Sequence, residues 1–243
     1  KPKYVCEVKF AEWTSNGTMR QPVYLGLRPD KKPQQVVREI PTRSKQEFEL
    51  THLDKVFWPE GKFTKGDLLK YYESIAETLL PYLNNRPQSL LRQPDGYRGQ
   101  AFFQKDISKF APDWAKTISI HSDSSNKEVE YLICNDLKTL QYMVQLGCIE
   151  INPWNSRTKH LTKPDWAVVD LDPEDISFEK VIEVAKVVHK VCEELKIPCY
   201  PKTSGKTGIH IFIPLGAKYS YDQARQFVQL LVTIIHERTS KIT

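Results

Sequence analysis

Two hydrophobic periods alternate along this chain, and their order constrains its fold more than any other feature. Apolar residues recur at helical spacing after Thr64, between Asp136 and Gly147, and over residues 177–196 and 221–237. Short runs typical of strands lie between and around these segments, at residues 89–92, 101–104, 117–121, 129–133, 148–151, 166–172, 198–203 and 209–214. Helices and strands mixed in this order predict an α+β domain.

The helix after Thr64 has the clearest start signal in the sequence. Thr64-x-x-Asp67 is a capping box, in which each side chain satisfies a backbone N–H of the other residue. Apolar residues follow at helical spacing, at Leu68, Tyr71, Tyr72, Ile75, Leu79 and Leu80. We therefore expect one helix that runs from this box through Leu80.

The first 45 residues have a different character from the rest of the chain. Residues 5–13 alternate like a half-buried strand, Asn16-Gly17 is a turn signal, and residues 22–27 form a second extended run, which together predict a β-hairpin. Prolines at 33 and 41 in a polar stretch are typical of a linker. We therefore expect two domains, at residues 1–45 and 46–243.

Composition and charge exclude several classes of protein. With 40% apolar residues, 27% charged residues and a mean hydropathy of −0.49, the chain is neither disordered, collagenous nor membrane-spanning. Its five cysteines lack CxxC spacing, which excludes a disulfide framework or structural zinc site and favours the reduced cytoplasm. Residues 1–46 carry ten Lys or Arg and only four Asp or Glu, which suits either an ordinary surface or a polyanion partner.

Two carboxylates end the apolar run Trp166-Ala-Val-Val-Asp170-Leu-Asp172. Because side chains alternate along a strand, Asp170 and Asp172 share one face while Val169 and Leu171 enter the core. Like charges held so close favour a divalent cation with oxygen ligands between them. The alternative is an exposed strand end without a ligand, since a DxD triplet is common.

A glycine-rich turn follows about thirty residues later and leads into a strand. Its two glycines allow a turn that directs backbone N–H groups at an anion, and further donors come from Lys202, Ser204, Gly205, Lys206 and Thr207. In the strand, Ile209, Ile211 and Ile213 share the buried face, so His210 projects from the opposite face. The turn predicts a phosphate-binding loop, and His210 is either a substrate-facing residue or a structural histidine.

The order Asp170-x-Asp172, then Ser204-Gly-x-x-Gly-x-His210, resembles the polymerase domain of bacterial ligase D. That domain belongs to the archaeo-eukaryotic primase superfamily and serves non-homologous end joining. The resemblance covers residues 48–243 and implies a primase-like mixed-sheet polymerase domain. It implies that Asp170 and Asp172 bind the catalytic Mn²⁺ or Mg²⁺, and that Ser204 and His210 contact the phosphates of the incoming nucleotide.

The same resemblance implies two DNA-binding clusters. His52, Lys55 and Lys65 match a cluster that grips the 5′-phosphate downstream of a break, and Lys65 lies in the first turn of a predicted helix, where free N–H groups favour phosphate. Phe102 and Phe103 match paired phenylalanines that stack against the template. Because adjacent strand residues face opposite ways, one of these two rings is alternatively part of the core.

The sequence departs from the family pattern at three places. No acidic residue after His210 suits the role of the third aspartate, so the carboxylate set is truncated, and the chain is expected to be a piece of a longer polypeptide. Asn152 stands where many relatives have a nucleotide-contacting histidine, and an amide cannot gain charge there. Lys206 precedes Thr207, the position at which relatives often carry lysine.

Residues 1–45 resemble the end of the OB domain of an ATP-dependent DNA ligase. Glu12-Trp13, Arg20-x-Pro22 and Gly26-Leu-Arg28 carry this similarity. The nucleotidyltransferase core of ligases and its lysine nucleophile are absent, so we expect no ligation from this chain. The resemblance implies a parent protein with the ligase first and the polymerase after it.

Together these similarities imply a template-directed nucleotidyltransferase that fills gaps at DNA double-strand breaks. Its partners are gapped or broken DNA with a 5′-phosphate, nucleoside triphosphates with a preference for ribonucleotides, and the bacterial Ku end-binding protein, at a cytoplasmic, nucleoid-associated location. Two other functions fit the residues. One is a non-catalytic module that binds 5′-phosphorylated ends, and the other is a metal-dependent nuclease, because paired carboxylates serve hydrolysis equally well.

Overall fold

The computed structural model describes residues 3–9, 12–13, 18–36, 48–123 and 125–240. The chain divides into two compact units, Lys1–Gln46 and Glu47–Thr243. None of the helices in the described part of the chain is long and apolar enough to cross a membrane.

The described part of the first unit contains four short strands: β1 (Cys6–Lys9), β2 (Glu12–Trp13), β3 (Met19–Arg20) and β4 (Val23–Leu27). β1 pairs with β4 in antiparallel orientation, and β2 pairs with β3, as the two predicted extended runs require. The predicted Asn16-Gly17 turn lies outside the described residues. Arg28, just after β4, donates to Asp30 at 2.6 and 2.8 Å and lies 3.4 Å from Glu7.

The first half of the second unit surrounds one hydrophobic core. Its elements are β5 (Val56–Trp58), β6 (Phe63–Thr64), α1 (Lys65–Ser74), α2 (Ala76–Leu83), β7 (Pro87–Gln88), β8 (Leu90–Arg92), β9 (Phe102–Gln104), β10 (Thr117–Ser122), β11 (Lys127–Ile133), α3 (Leu137–Gln145) and β12 (Cys148–Glu150). The strands form the hairpin β5-β6 and the sheets β10-β11-β7 and β12-β8-β9. Leu68 of α1 and Leu140 of α3 are buried in the core that these elements share.

The single helix predicted after Thr64 is wrong, because the structure contains two helices. The capping box is confirmed, with Asp67 N–H donating to Thr64 Oγ1 at 3.2 Å and Thr64 N–H donating to Asp67 Oδ2 at 2.8 Å. The helical geometry is interrupted at Ile75, where φ is −103° and ψ is 3°. Buried residues of both helices, Tyr72 and Leu83 among them, belong to the same core, so the apolar period continues through the break.

The second half of the unit contains β13 (Trp166–Leu171), α4 (Phe178–Glu194), β14 (Tyr200–Thr203), β15 (Ile209–Pro214) and α5 (Tyr221–Thr239). β15 lies between β13 and β14 and is antiparallel to both. Val169 and Ile211 point into a second core, which includes Val188 of α4 and Leu231 of α5. The two helices therefore cover one face of this sheet.

The predicted α+β class is confirmed by these elements. Every strand pair in the described ranges is antiparallel. The strands therefore form several small antiparallel sheets where a mixed sheet was predicted. Antiparallel pairing needs only short connections, such as the hairpin between β10 and β11.

A buried arginine connects the two halves of this unit. Arg86, which follows α2, donates to Asp165 Oδ2 at 2.5 Å, and Asp165 immediately precedes β13. The Arg86 guanidinium also donates to the carbonyl oxygens of Tyr82, Trp154 and Asn155 at 3.0, 3.1 and 2.7 Å. The start of β13 is therefore attached to the first half of the unit.

Candidate functional site

The solvent face of the second-half sheet carries three charged or titratable side chains in one row. The Cα atoms of Asp170 on β13 and Lys202 on β14 are both register partners of His210 on the central strand β15. Since Val169 and Ile211 occupy the buried face, strand alternation leaves the row on the opposite face. His210 Nε2 lies 3.5 Å from Asp170 Oδ1, and the Asp170 side chain is 61% exposed.

Asp172 lies one residue beyond the end of β13 and is exposed, like Asp170. No group of three or more His, Cys, Asp or Glu side chains suited to a metal ion occurs within the described ranges. Two exposed carboxylates supply the oxygen ligands that suit a hard divalent ion which keeps several of its waters. The donor set therefore fits such an ion through two carboxylates.

The glycine-rich turn packs against the end of the carboxylate strand. A Cβ atom on Gly208 would lie 2.6 Å from the carbonyl oxygen of Leu171 and 3.5 Å from Cα of Asp172. Only glycine allows this approach, because the contact at 2.6 Å is with backbone. Ser204, at the start of the turn, is thereby held beside Asp172, since its N–H donates to the Gly208 carbonyl at 2.9 Å.

The hydroxyl oxygen of Ser204 organises the inside of this turn. It accepts the N–H groups of Gly208 at 3.0 Å and Lys206 at 3.4 Å. The prediction that backbone N–H groups of the turn meet an anion is therefore wrong for these two, because Ser204 itself satisfies them. With its lone pairs so engaged, the Ser204 hydroxyl has its hydrogen left to donate.

Four other predicted nucleotide contacts lie in or next to this turn, and all four are exposed. Gly205 takes a φ of +99°, a backbone conformation that favours glycine, and lets the chain reverse. Lys206 and Thr207 follow it and are exposed. Lys202 donates to its neighbour's carbonyl oxygen at 3.1 Å, which leaves donors of its ammonium available for a phosphate.

Asn152 follows β12, and its carbonyl oxygen accepts the N–H of Ser89 at 2.9 Å. Its side-chain nitrogen Nδ2 is buried and has no hydrogen-bond partner among the residues described. A buried donor without a partner costs about 1–3 kcal/mol, and a ligand oxygen would remove that cost. The structure thus leaves an amide donor unsatisfied at the position predicted to contact a nucleotide.

The predicted 5′-phosphate cluster is brought together around the start of α1. Lys55 Nζ lies 2.6 Å from Asp95 Oδ1, His52 is exposed, and Lys65 Nζ donates to the carbonyl oxygen of Thr51 at 2.9 Å. Lys65 is buried, and desolvation followed by the charge of Lys55 lowers the pKa of its ammonium. Lys55 and His52 are therefore the more accessible members of the cluster.

The expectation of free N–H groups in the first turn of α1 is wrong. The first three are all bonded within the protein, as Lys65 N–H to Lys55 O at 2.8 Å, Gly66 N–H to Leu53 O at 2.8 Å and Asp67 N–H to Thr64 Oγ1 at 3.2 Å. The capping box and the preceding loop thus occupy the donors. A phosphate here depends on side chains instead.

Both phenylalanines of the predicted template-stacking pair are accessible. Phe102 and Phe103 on β9 are 42% and 64% exposed, so the alternative that one of them belongs to the core is wrong. β9 is a three-residue edge strand, and neither of its faces is fully covered. The Arg92 guanidinium lies over the Phe102 ring at 5.4 Å from the centroid and supports it.

Sequence reasoning missed two residues that contact the predicted DNA-binding side chains. Asp95 pairs with Lys55 across a separation of 40 residues, and Arg92 connects Phe102 to the end of α3 through a 2.8 Å bond to the carbonyl oxygen of Leu146. The turn sequence Pro94-Asp-Gly96 was a signal for a loop, but no local pattern indicates which partner such a loop meets.

Comparison with known proteins decides the family. The sequence model of the family described as "LigD, primase-polymerase domain" matches residues 64–243. The chain belongs to the LigD primase-polymerase family. This match confirms the resemblance that the motifs indicated. LigD primase-polymerase domains are metal-dependent nucleotidyltransferases. Residues 1–31 match the "ATP dependent DNA ligase C terminal region".

Curated relatives carry the LigD name. The chain is 28% identical over 265 residues to the "Multifunctional non-homologous end joining protein LigD" of Pseudomonas aeruginosa, covering 100% of this chain and 31% of that protein. It is 33% identical over 201 residues to the "Bifunctional non-homologous end joining protein LigD" of Bacillus subtilis, covering 81% of this chain and 31% of that protein. The chain thus spans about a third of these relatives.

A solved LigD structure has the same fold. The "Polymerase Domain from Mycobacterium tuberculosis Ligase D in complex with DNA" matches with a TM-score of 0.69 at 26% sequence identity. The match covers 80% of this chain and 70% of that one. The architecture described above is therefore that of a LigD polymerase domain.

Proposed function

We propose that this chain is the gap-filling polymerase part of a longer LigD protein that repairs DNA double-strand breaks by non-homologous end joining. The observation that carries the proposal is the row of Asp170, His210 and Lys202 beside the Ser204 turn. With Asp172 and the Ser204 hydroxyl beside it, the row combines carboxylates for metal ions with cationic and hydroxyl donors for a triphosphate. This combination serves transfer of a nucleotide to a primer 3′-hydroxyl.

The proposed site divides the work between its residues. Asp170 and Asp172 hold Mn²⁺ or Mg²⁺, which when bound stabilises charge on the attacking and leaving oxygens. The Ser204 hydroxyl donates to a phosphate oxygen, because its lone pairs accept two N–H groups of the turn. His210 and Lys202, adjacent on the sheet, orient the triphosphate from the face that carries Asp170.

The proposed DNA contacts lie in the first half of the unit. Lys55 and His52 receive the 5′-phosphate on the far side of the gap, and Lys65 supports the loop that carries them. Phe102 and Phe103 stack against the template strand. The solved M. tuberculosis domain in complex with DNA supports a DNA partner for this chain. Ribonucleotides as preferred substrates and a bacterial Ku partner complete the proposal.

Primer extension on gapped DNA with a downstream 5′-phosphate tests the proposal. The chain is compared with Asp170→Asn/Asp172→Asn in the presence of nucleoside triphosphates and Mn²⁺ or Mg²⁺. Glu174→Gln/Asp175→Asn removes the same charge from the following exposed residues and serves as the matched control. We expect extension to fall by at least 100-fold in the first variant and to stay within about threefold in the control.

A second readout is binding of a fluorescent ribonucleoside triphosphate with Mn²⁺. The polymerase proposal is wrong if the Asp170/Asp172 variant extends primers as well as the control does, or if binding of the nucleotide is the same in all three proteins. DNA cleavage in the absence of nucleotide would indicate the nuclease alternative. Phosphate-dependent DNA binding without nucleotide binding would indicate the end-binding module.

A further inference from the structure

Thr51 is held through all of its polar groups. Its N–H donates to Gln145 Oε1 at 3.1 Å, and its hydroxyl oxygen accepts Gln145 Nε2 at 2.7 Å. Its carbonyl oxygen accepts the Lys65 ammonium at 2.9 Å. A single glutamine side chain, 94 residues away in sequence, thus grips both the backbone and the side chain of Thr51.

The residue that follows Thr51 has an unusual backbone. His52 takes a φ of +55°, in the left-handed region that non-glycine residues rarely adopt. This conformation persists only where surrounding bonds impose it. After His52, the loop is held because the Lys55 N–H donates to the His52 carbonyl at 3.2 Å and the Gly66 N–H donates to the Leu53 carbonyl at 2.8 Å. On its N-terminal side, the anchor is Thr51.

Gln145 is well placed to be that anchor because the end of α3 is itself fixed. The Gly147 carbonyl accepts the N–H of Gln93 at 2.8 Å, and the Leu146 carbonyl accepts Arg92 Nε at 2.8 Å. Gly147 also packs against Pro94, since a Cβ there would lie 2.8 Å from Cα of that proline. The segment 145–147 therefore supports both the loop of His52 and Lys55 and the loop of Asp95.

We propose that Gln145 is a positioning residue for recognition of the DNA 5′-phosphate. It acts through Thr51, whose two bonds to Gln145 keep His52 left-handed and present His52 and Lys55 together to the phosphate. Without these bonds the backbone of His52 relaxes to negative φ, and the two side chains separate. The inference rests on the proposed function, because it assumes that this loop binds a 5′-phosphate.

The test measures the ratio of affinities for two gapped duplexes that differ only in a 5′-phosphate or a 5′-hydroxyl. Fluorescence anisotropy at fixed salt is used for the unchanged protein, Gln145→Met, Thr51→Val and the double variant. Gln141→Met is the matched control, because Gln141 lies one turn earlier on α3 and donates to Glu73 at 2.6 Å, away from Thr51. Thermal melting of each variant reports on the fold.

We expect Gln145→Met to lower the phosphate ratio by about tenfold, because loss of both bonds to Thr51 lets His52 and Lys55 separate. Affinity for the 5′-hydroxyl duplex stays within about twofold, and Gln141→Met leaves the ratio unchanged. Because Gln145 acts through Thr51, the double variant should lower the phosphate ratio no further than the more damaging of the two single variants does.

Four results would overturn the inference. An unchanged ratio in Gln145→Met rejects the positioning role of Gln145 but leaves the proposed phosphate site standing. An equal loss of affinity for both duplexes indicates only a structural role. Additive losses in the double variant show that Gln145 does not act through Thr51. If the unchanged protein does not distinguish the two duplexes, the proposed phosphate site itself is wrong and the inference falls with it.

Discussion

Replacement of Arg86 by methionine should destabilise the second unit strongly. The Arg86 side chain is 2% exposed and makes four hydrogen bonds, one of them to Asp165, whose side chain is 19% exposed. Burial lowers the pKa of the guanidinium, yet arginine remains charged in proteins. Methionine fills a similar volume but leaves three carbonyl oxygens and a carboxylate without this donor.

The magnitude follows from what remains after the change. Breaking a buried ion pair costs about 3–5 kcal/mol when the surviving charge has no other partner. Here Asp165 keeps Arg157, whose Nε lies 3.0 Å away, so the lower end applies. We expect a loss of about 3 kcal/mol, which corresponds to a fall in Tm of roughly 6–12 °C for a unit of this size.

Urea unfolding followed by far-UV circular dichroism measures this loss. Arg157→Met is the comparison, because the Arg157 side chain is 36% exposed and its removal leaves the Arg86 bond intact. That variant should lose about 1 kcal/mol or less. If Arg86→Met lost less than 1 kcal/mol, or no more than Arg157→Met, the claim that this buried pair attaches the carboxylate strand to the first half would be refuted.

Three further predictions concern the site and the core. Gly208→Ala should weaken nucleotide binding and cost about 1–3 kcal/mol of stability, because its Cβ would meet a backbone oxygen at 2.6 Å; equal affinity in a titration would contradict this. Asp95→Asn should raise the affinity for 5′-phosphorylated ends about two- to fivefold at low salt, by freeing its lysine partner, and the gain should shrink as salt increases. Burial raises the pKa of the Cys134 and Cys148 thiols to about 12, so both should stay protonated and resist thiol reagents at pH 8. Their contribution to stability should be lost only as pH rises from about 9 to 12. Rapid labelling of the folded protein at pH 8, detected by peptide mass spectrometry, would contradict this prediction.

Much of the fold could be predicted because its signals are local. The Thr64–Asp67 capping box marks the start of α1, and Gly147, with a φ of +85°, follows the end of α3 as expected of a C-terminal glycine. The strands β6 and β7 were missed because each contains only two residues. A run that short shows no period, and only its pairing partner makes it a strand.

The row of Asp170, His210 and Lys202 was more predictable than the proposed phosphate site for a physical reason. Alternation puts Asp170 on the face opposite Val169 in β13 and His210 on the face opposite Ile211 in β15. Both apolar neighbours enter one core, so pairing of the two strands brings the polar residues together. The phosphate cluster instead depends on contacts between distant segments. From sequence, Lys65 is an exposed lysine at a helix start, but the Thr51–Lys55 loop covers it and takes its N–H group.

The sequence by itself determined the class of the fold and the family, because periodicity and motif order are properties of neighbouring residues. For the same reason it determined on which face of its strand Asp170 and His210 each lie. Only the tertiary structure decided which donors are free. It bonded the N–H groups of Lys65 and Gly66 to the preceding loop, exposed both Phe102 and Phe103, and joined Gln145 to Thr51. Such pairings arise from packing between segments up to 94 residues apart, and no local pattern encodes them.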